Sequence, residues 1–224
     1  MAWALSESKD PVIFIDHRML HKIPGPIRDS FRAGAANCAP TDGWRRPVAG
    51  GDDITIVAVS YMVLAARRAA EILEQFEISC SVFDPLWIRP MPVLPAVATD
   101  VAHTGRLLVV DCGWQTFGVS AEIVASVAEY GIAIKKVARM GFAETVCPPA
   151  KSLEELYYPP AETIAAKAYQ MVRGETMPTL EKNAGGTGSA DGMAGGFCFE
   201  GTNRVDGATI SRGMVVERRG TEDL

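Results

Sequence analysis

The sequence predicts an α/β fold: three layers, helices on both sides of a mostly parallel, roughly five-stranded sheet. Three observations carry this expectation. Short apolar, β-branched runs recur at residues 53–60, 78–84, 106–110 and 134–139, the pattern of strands covered on both faces. Stretches with apolar residues at helical spacing lie between them. Strand and helix alternate along residues 51–173, which implies parallel strands joined by right-handed crossovers.

Taken in order, residues 1–8 read as the last turns of a helix, with Trp3 and Leu5 as its apolar residues. Residues 11–16 (PVIFID) read as a buried strand, with Pro11 tolerated at its first position. Residues 21–50 read as an extended connection between domains, punctuated by Pro24, Gly25, Pro26, Pro40, Pro47 and Gly50. The strand at 53–60 leads into a helix over 62–75. Leu64, Ala65, Ala69, Ile72 and Leu73 form its apolar side, and Arg67, Arg68, Glu71 and Glu74 its polar side. After the strand at 78–84, Pro85, Pro90, Pro92 and Pro95 forbid a long helix before residue 95, and a short one is expected over 93–102. A final helix spans 152–173, with Ser152 as N-cap and Glu154 and Glu155 in its first turn. Pro159-Pro160 must interrupt it, so it restarts at Ala161 or Glu162 and runs through Ile164, Ala168 and Met171.

Residues 106–123 organise the rest. A strand over 106–110 meets a turn bracketed by Gly113 and Gly118, where the backbone needs unusual dihedrals or close approach. A helix follows, with Val119, Ile123, Val124, Val127 and Ala128 on its apolar side. The turn falls at the carboxyl end of the sheet, where open α/β sheets place ligands and partners. Phe117-Gly118 at the helix start is read as a structural turn ahead of an anion site. Asp111 and Glu122 are read as turn and helix-surface carboxylates ahead of an acid/base pair. His103 suits a helix end, and Cys112 has no cationic neighbour in sequence to make it a thiolate. Trp87, Trp114, Tyr157 and Tyr158 are interface anchors or core residues, with both readings open for Trp114.

The bulk numbers bound the class. A net charge of −5 without a basic cluster argues against a nucleic-acid partner. The 224 residues include five cysteines, none in a CxxC pair, and three histidines. A zinc site is therefore not expected, and the scattered thiols suit a reducing compartment. The N-terminus lacks the pattern of a signal peptide, and no apolar run has the length of a membrane span. A cytoplasmic location is expected, with no membrane partner. Beyond residue 174 the composition shifts to Gly-Gly-Thr-Gly at 185–188 and Gly-Gly at 195–196, a flexible-linker composition. Residues 197–224 hold two β-like runs, at 197–199 and 214–216, too few to build a core. No strand feeds these glycines and no lysine-serine/threonine pair follows them, so they are not read as a phosphate loop.

Four segments form a further pattern: PVIFIDHRML at 11–20, GDDITIVA at 51–58, TGRLLVVDCGWQTFGVSAE at 104–122 and CPPAKSLEELYYPPAE at 147–162. Together they resemble the β subunit of thiamine-diphosphate-dependent 2-oxoacid dehydrogenases, the pyruvate, acetoin and branched-chain E1 components. The resemblance covers residues 1 to about 173. It implies that residues 1–20 are the end of a pyrimidine-binding domain and 51–173 a transketolase C-terminal-like domain; composition makes 21–50 the linker between them and 174–224 a Gly-rich flexible tail. It also implies a part in oxidative decarboxylation of a 2-oxo acid, with acyl transfer to a lipoyl group on E2. The implied partners are an E1 α-type subunit, a second β-type subunit and the lipoyl-bearing E2. Thiamine diphosphate and Mg would be bound in the assembled enzyme, mainly by other domains.

No catalytic, cofactor-binding or metal residue carries over, because the family's catalytic glutamate and channel histidine lie upstream of anything matched here. His17 and His21 do not match that histidine. The role implied for this chain is assembly, with Trp114, Phe117, Gly118, Tyr157 and Tyr158 as interface candidates. The chain departs from the family at Asp84-Pro-Leu-Trp-Ile-Arg89, where an Asp-Leu-Arg-Thr type segment is common, and at Phe117-Gly118, where paired glycines are common. It also adds about fifty residues after the last helix. Two alternatives stand beside the E1 reading: a split transketolase-like two-carbon transferase subunit, and a non-catalytic assembly module or truncated fragment. An independent nucleotide-binding domain is disfavoured, since no fingerprint loop follows the first strand.

Overall fold

The computed structural model describes residues 8–23, 45–91 and 95–178, and the backbone of three short segments further on. Strand β2 (Ile54–Ala58) forms the centre, with all five side chains buried. Its β-branched residues suit a pleated surface packed on both faces. β3 (Cys80–Asp84) and β4 (Arg106–Val110) flank it in parallel, with Ile56 opposite Val82 on one side and Leu108 on the other. β5 (Lys136–Met140) continues the sheet parallel to β4, and β1 (Arg45–Val48) closes the other edge antiparallel to β3. The strand order is β1-β3-β2-β4-β5.

Helices cover both faces, as the alternating pattern requires. α1 (Met62–Glu74) joins β2 to β3, α2 (Pro95–Thr104) joins β3 to β4, and α3 (Val119–Glu129) joins β4 to β5. α4 (Lys151–Tyr157) and α5 (Ala161–Arg173) follow. Successive strand residues point to opposite faces. Ile54, Ile56 and Leu108 therefore pack with Met62, Ala66 and Leu73 of α1 and Ile164, Ala165 and Ala168 of α5. Val57, Leu107 and Val109 pack on the other side, with Val97 and Val101 of α2 and Ile123 and Val127 of α3. The first crossover moves from β2 to β3, whereas the next passes β2 to reach β4 and continues to β5. The winding reverses between β2 and β4, so their carboxyl ends border a switch-point crevice of the kind where such sheets take ligands.

Several local expectations are corrected. The run at 11–16 is not a buried strand: it joins no ladder among the described residues, and Ile13, Phe14 and Ile15 are exposed. β propensity alone does not make a strand where no neighbouring strand supplies hydrogen bonds. A 3-10 turn (Arg18–Lys22) follows it. Residues 45–48, within the stretch read as a connection, form edge strand β1; Pro47 is tolerated on an edge, and the register shifts between Arg45 and Val48. α2 starts two residues later than expected, at Pro95, where a missing N–H is harmless.

The final helix is two helices. Pro160 caps α5, and the N-cap of α4 is Ala150, not Ser152. The Ala150 carbonyl accepts from both Leu153 and Glu154, which starts helical bonding before Ser152. The apolar side of α1 is rotated from the expected one: Met62, Ala66, Ala69, Ala70 and Leu73 are buried, while Leu64, Ala65 and Ile72 are half-buried. Beyond α5, the backbone of β6 (Asn203–Val205), β7 (Ala208–Ile210) and β8 (Val216–Glu217) forms a three-stranded antiparallel sheet. The helix expected at 1–8 lies almost wholly outside the described residues, and the β-like run at 197–199 lies entirely outside them.

Polar side chains tie the amino ends of the strands to the helices. Buried Thr55 donates from Oγ1 to Asp100 Oδ2 at 2.7 Å, and Ser81 Oγ donates to Asp100 Oδ1 at 3.1 Å. His103, in the last turn of α2, pairs through Nε2 with Asp52 Oδ1 at 3.0 Å. Arg106 donates to three carbonyl oxygens, of Met171, Asp53 and Thr104, at 3.2, 3.0 and 3.2 Å. Lys136 Nζ shares the Met171 oxygen at 2.9 Å. Cations near the last carbonyls of α5 also suit its dipole. Arg106→Met keeps the apolar stem and should lower stability by about 1–3 kcal/mol in urea unfolding. Because Lys136 holds the same oxygen, R106M with K136M should lose about 0.5 kcal/mol or more beyond the sum of the single variants. Strictly additive losses would show that the two cations act independently.

Candidate functional site

The turn from β4 to α3 stands beside the crevice and is fixed from several directions. Asp111, at the end of β4, is buried, and its Oδ2 accepts the Ser120 N–H at 3.2 Å. Burial pushes its carboxyl above the ordinary value, against the pull of backbone N–H groups of Ser120, Cys112 and Val119. The carboxyl thus caps α3, whose own N-cap, Gly118, has no side chain to offer. A helix start filled in this way has no free N–H cradle for an external anion.

The end of β5 braces the other side of the turn. Asp111 N–H donates to Met140 O, Phe142 N–H donates to Gly113 O, both at 2.9 Å, and Arg139 donates to Gln115 O. Thr116 Oγ1 donates to Glu144 Oε1 at 3.0 Å. A Cβ at residue 118 would stand 1.9 Å from Trp114 O, so only glycine fits this approach. At Gly113 a Cβ would meet nothing nearer than 3.5 Å. The unusual dihedral expected of the bracketing glycines falls instead on Phe117, at φ 57°, a conformation that costs a non-glycine residue about 1–2 kcal/mol.

This braced turn presents Phe117 fully exposed and Trp114 54% exposed. Behind them lies a group of rings. Trp114 Nε1–H donates to Tyr157 Oη at 3.1 Å. Tyr157 is only 6% exposed and packs 4.5 Å from Phe142. Tyr158 meets Phe142 edge-on at 4.9 Å and Tyr61 at 6.1 Å. His17 stacks on Tyr61 at 4.8 Å and meets Tyr158 edge-on at 5.8 Å. Such offset and edge-on pairs contribute about 0.5–1.5 kcal/mol each beyond burial. The five interface candidates therefore separate: Trp114 and Phe117 face outward, Gly118 makes the close approach, Tyr158 is half-buried, and Tyr157 is an interior support.

Two of the thiols are quiet. Burial pushes the Cys112 thiol beside Asp111 up, with Asp111 adding to the rise; Cys80, at the opposite end of the sheet near Glu74 and Asp53, is pushed up to about 12. Neither is a thiolate at neutral pH. Glu122 is exposed and lines a cavity of about 580 Å³ with Ile88, Arg89 and Met91. His17, Tyr61 and Phe142 have no sequence signal as site members; the fold brings them together from positions far apart in the chain.

Residues 43–164 match the family described as transketolase, C-terminal domain. The chain belongs to that family. Among curated relatives, the mitochondrial pyruvate dehydrogenase E1 component subunit β of Pisum sativum is 35% identical over 167 residues, covering 71% of this chain and 44% of that protein. The acetoin:2,6-dichlorophenolindophenol oxidoreductase subunit β of Cupriavidus necator is 32% identical over 174 residues, covering 74% of this chain and 47% of that protein. The chain thus spans less than half the length of the curated relatives it matches. A solved split-gene transketolase, an inactive β4 tetramer, aligns with TM-score 0.49 and 25% identity, covering 58% of this chain and 42% of that one.

In this transketolase C-terminal domain, Phe117 and Gly118 test the turn in opposite directions. Phe117→Gly removes the φ penalty and adds chain entropy, so thermal unfolding should show stability unchanged or raised by up to about 1 kcal/mol. A clear loss would mean that the Phe117 ring packs within the chain. Gly118→Ala should instead destabilise, because the obstacle is a backbone carbonyl that cannot rotate away.

Proposed function

We propose that this chain is the C-terminal-domain part of the β subunit of a thiamine-diphosphate-dependent 2-oxoacid dehydrogenase E1 component, and that it serves subunit assembly rather than chemistry. The observation that carries the assembly role is Phe117, a fully exposed aromatic side chain held at positive φ on a braced turn. Strain of this kind persists where the surroundings over-determine it, and it clusters at functional sites. A rigid aromatic residue loses little entropy on burial and makes a strong anchor when a partner encloses it. The relatives named as E1 β subunits support the choice of enzyme.

The overall reaction would be oxidative decarboxylation of a 2-oxo acid with acyl transfer to lipoyl-E2. The partners would be an E1 α-type subunit, a second β-type subunit and E2. Thiamine diphosphate and Mg would be held mainly by partner domains. One feature of this chain supports that division. The N-terminus of α3 is filled by the Asp111 carboxyl, which does not fit a diphosphate there, and the chemistry of the cofactor is not routed through it. What the described residues would do is hold Trp114 and Phe117 in place and exclude water from the contact. The exposed apolar run around Ile13, Phe14 and Ile15 would be covered by a pyrimidine-binding domain in the assembly.

The test is to co-express the chain with E1 α-type and pyrimidine-domain partners and measure assembly by analytical ultracentrifugation. Phe117→Glu should weaken association by about 30-fold or more, the effect of losing an anchor of about 2 kcal/mol, while leaving the melting of the isolated chain unchanged. Unchanged association would remove the assembly role from this turn. Thiamine diphosphate titrated into the chain alone should show no tight binding; tight binding would overturn the placement of the cofactor in partner domains.

A further inference from the structure

The segment comprising residues 8–23 makes few commitments to the rest of the molecule. Ile13, Phe14, Ile15, Met19 and Ile23 are exposed, while Ser8, Val12, His17 and Leu20 are half-buried. Its described side-chain hydrogen bonds are local: Ser8 with Asp10, His21 with Asp16, and Met19 N–H to His17. Its ring contact with the domain is made by His17, on Tyr61 just past the end of β2 and Tyr158 after α4. His17 is also the N-cap of the 3-10 turn, its Nδ1 accepting the Met19 N–H at 3.3 Å. A nitrogen that accepts this bond carries no proton, so the bond requires the neutral ring with its proton on Nε2. One imidazole therefore joins two functions: it holds the segment to Tyr61 and Tyr158 of the domain, and it starts the turn that follows.

We propose that His17 is a proton-operated latch: the neutral ring holds residues 8–23 against Tyr61 and Tyr158, and protonation releases them. An imidazolium has no lone pair for the Met19 N–H, so the cap is lost at the moment the ring becomes charged between two tyrosines. The groups facing it are Tyr61 at the start of α1, Glu154 of α4 and Tyr158 beyond it. Cys112 and Cys147 stand close enough to Tyr158 to act on it electrostatically. On its own segment, Arg18 and the Asp16–His21 pair are nearest in sequence. Tyr61 and Glu154 favour the charged ring; burial opposes it and is the larger effect, holding His17 below its ordinary value of 6.5. The sign follows: the latch is fully closed above the undocked value and opens as pH falls through the docked one. Opening uncovers Tyr61 and Tyr158.

The test uses the full chain. Proton NMR of the imidazole signals should give His17 a titration midpoint below 6.5; a midpoint at or above it overturns the latch. Hydrogen exchange at Met19 and Leu20, corrected for intrinsic rates, should lose protection severalfold between about pH 7.5 and about pH 5.5. His17→Asn keeps a cap acceptor without titrating, and His17→Phe keeps a ring without titrating; protection in both should be flat across that range. His21→Gln should behave as the parent chain. Unchanged protection in the parent chain, or pH dependence surviving in both His17 variants, would overturn the proposal, the second by moving the switch to the Asp16–His21 pair or Glu154.

Discussion

A backbone carbonyl cannot share space with a side chain, and at position 118 this rule shapes the carboxyl edge of the sheet. Trp114 O would lie 1.9 Å from a Cβ there. The turn that passes so close to itself leaves little choice to its neighbours. Gly118 keeps an ordinary extended backbone, and Phe117 takes the left-handed conformation with its ring in solvent. Trp114 is anchored by Tyr157, whose hydroxyl accepts the indole N–H. The exposed aromatic residues are thus products of a backbone constraint, held by Phe142, Arg139 and Glu144 from β5 and the loop after it.

Electrostatics divides the two ends of the sheet into different tasks. At the amino end, buried hydroxyls satisfy Asp100, while Arg106 and Lys136 both donate to the Met171 carbonyl near the end of α5. These groups are spent on backbone and on one another, which stabilises the packing of helices on the sheet. At the carboxyl end the buried carboxyl of Asp111 occupies the helix start that an anionic ligand would otherwise use. Such an edge offers aromatic surface instead of an anion cradle. For the assembly role proposed above, a filled helix start with outward rings suits contact with a macromolecule.

The crevice between β2 and β4 follows from topology, because winding reverses there. Three rings that meet one another come from separate parts of the chain: Tyr61 from the start of α1, Tyr158 from the end of α4, and His17 from before the domain. Since α4 packs Tyr157 and Tyr158 against Phe142, these rings and the exposed turn share one aromatic foundation. A change at the latch and a change at the turn therefore act on the same group of rings.

The sequence by itself determined the alternating α/β order, the buried runs of β2, β3 and β4, and the restart of helix at Ala161 or Glu162 after two prolines. These are local facts: periodicity, β-branching and the missing proline N–H act within a few residues. Tertiary structure decided the rest. The run at 11–16 has strand chemistry but meets no strand among the described residues, so it stays outside the sheet and exposed. Residues 45–48 have poor strand chemistry, yet β3 offers an edge and they take it. The positive φ fell on Phe117 because the Trp114 carbonyl, the end of β5 and the helix start had all to be accommodated at once. His17, Tyr61 and Tyr158 meet only after the sheet is wound, since stacking depends on distances in space that no spacing along the chain encodes.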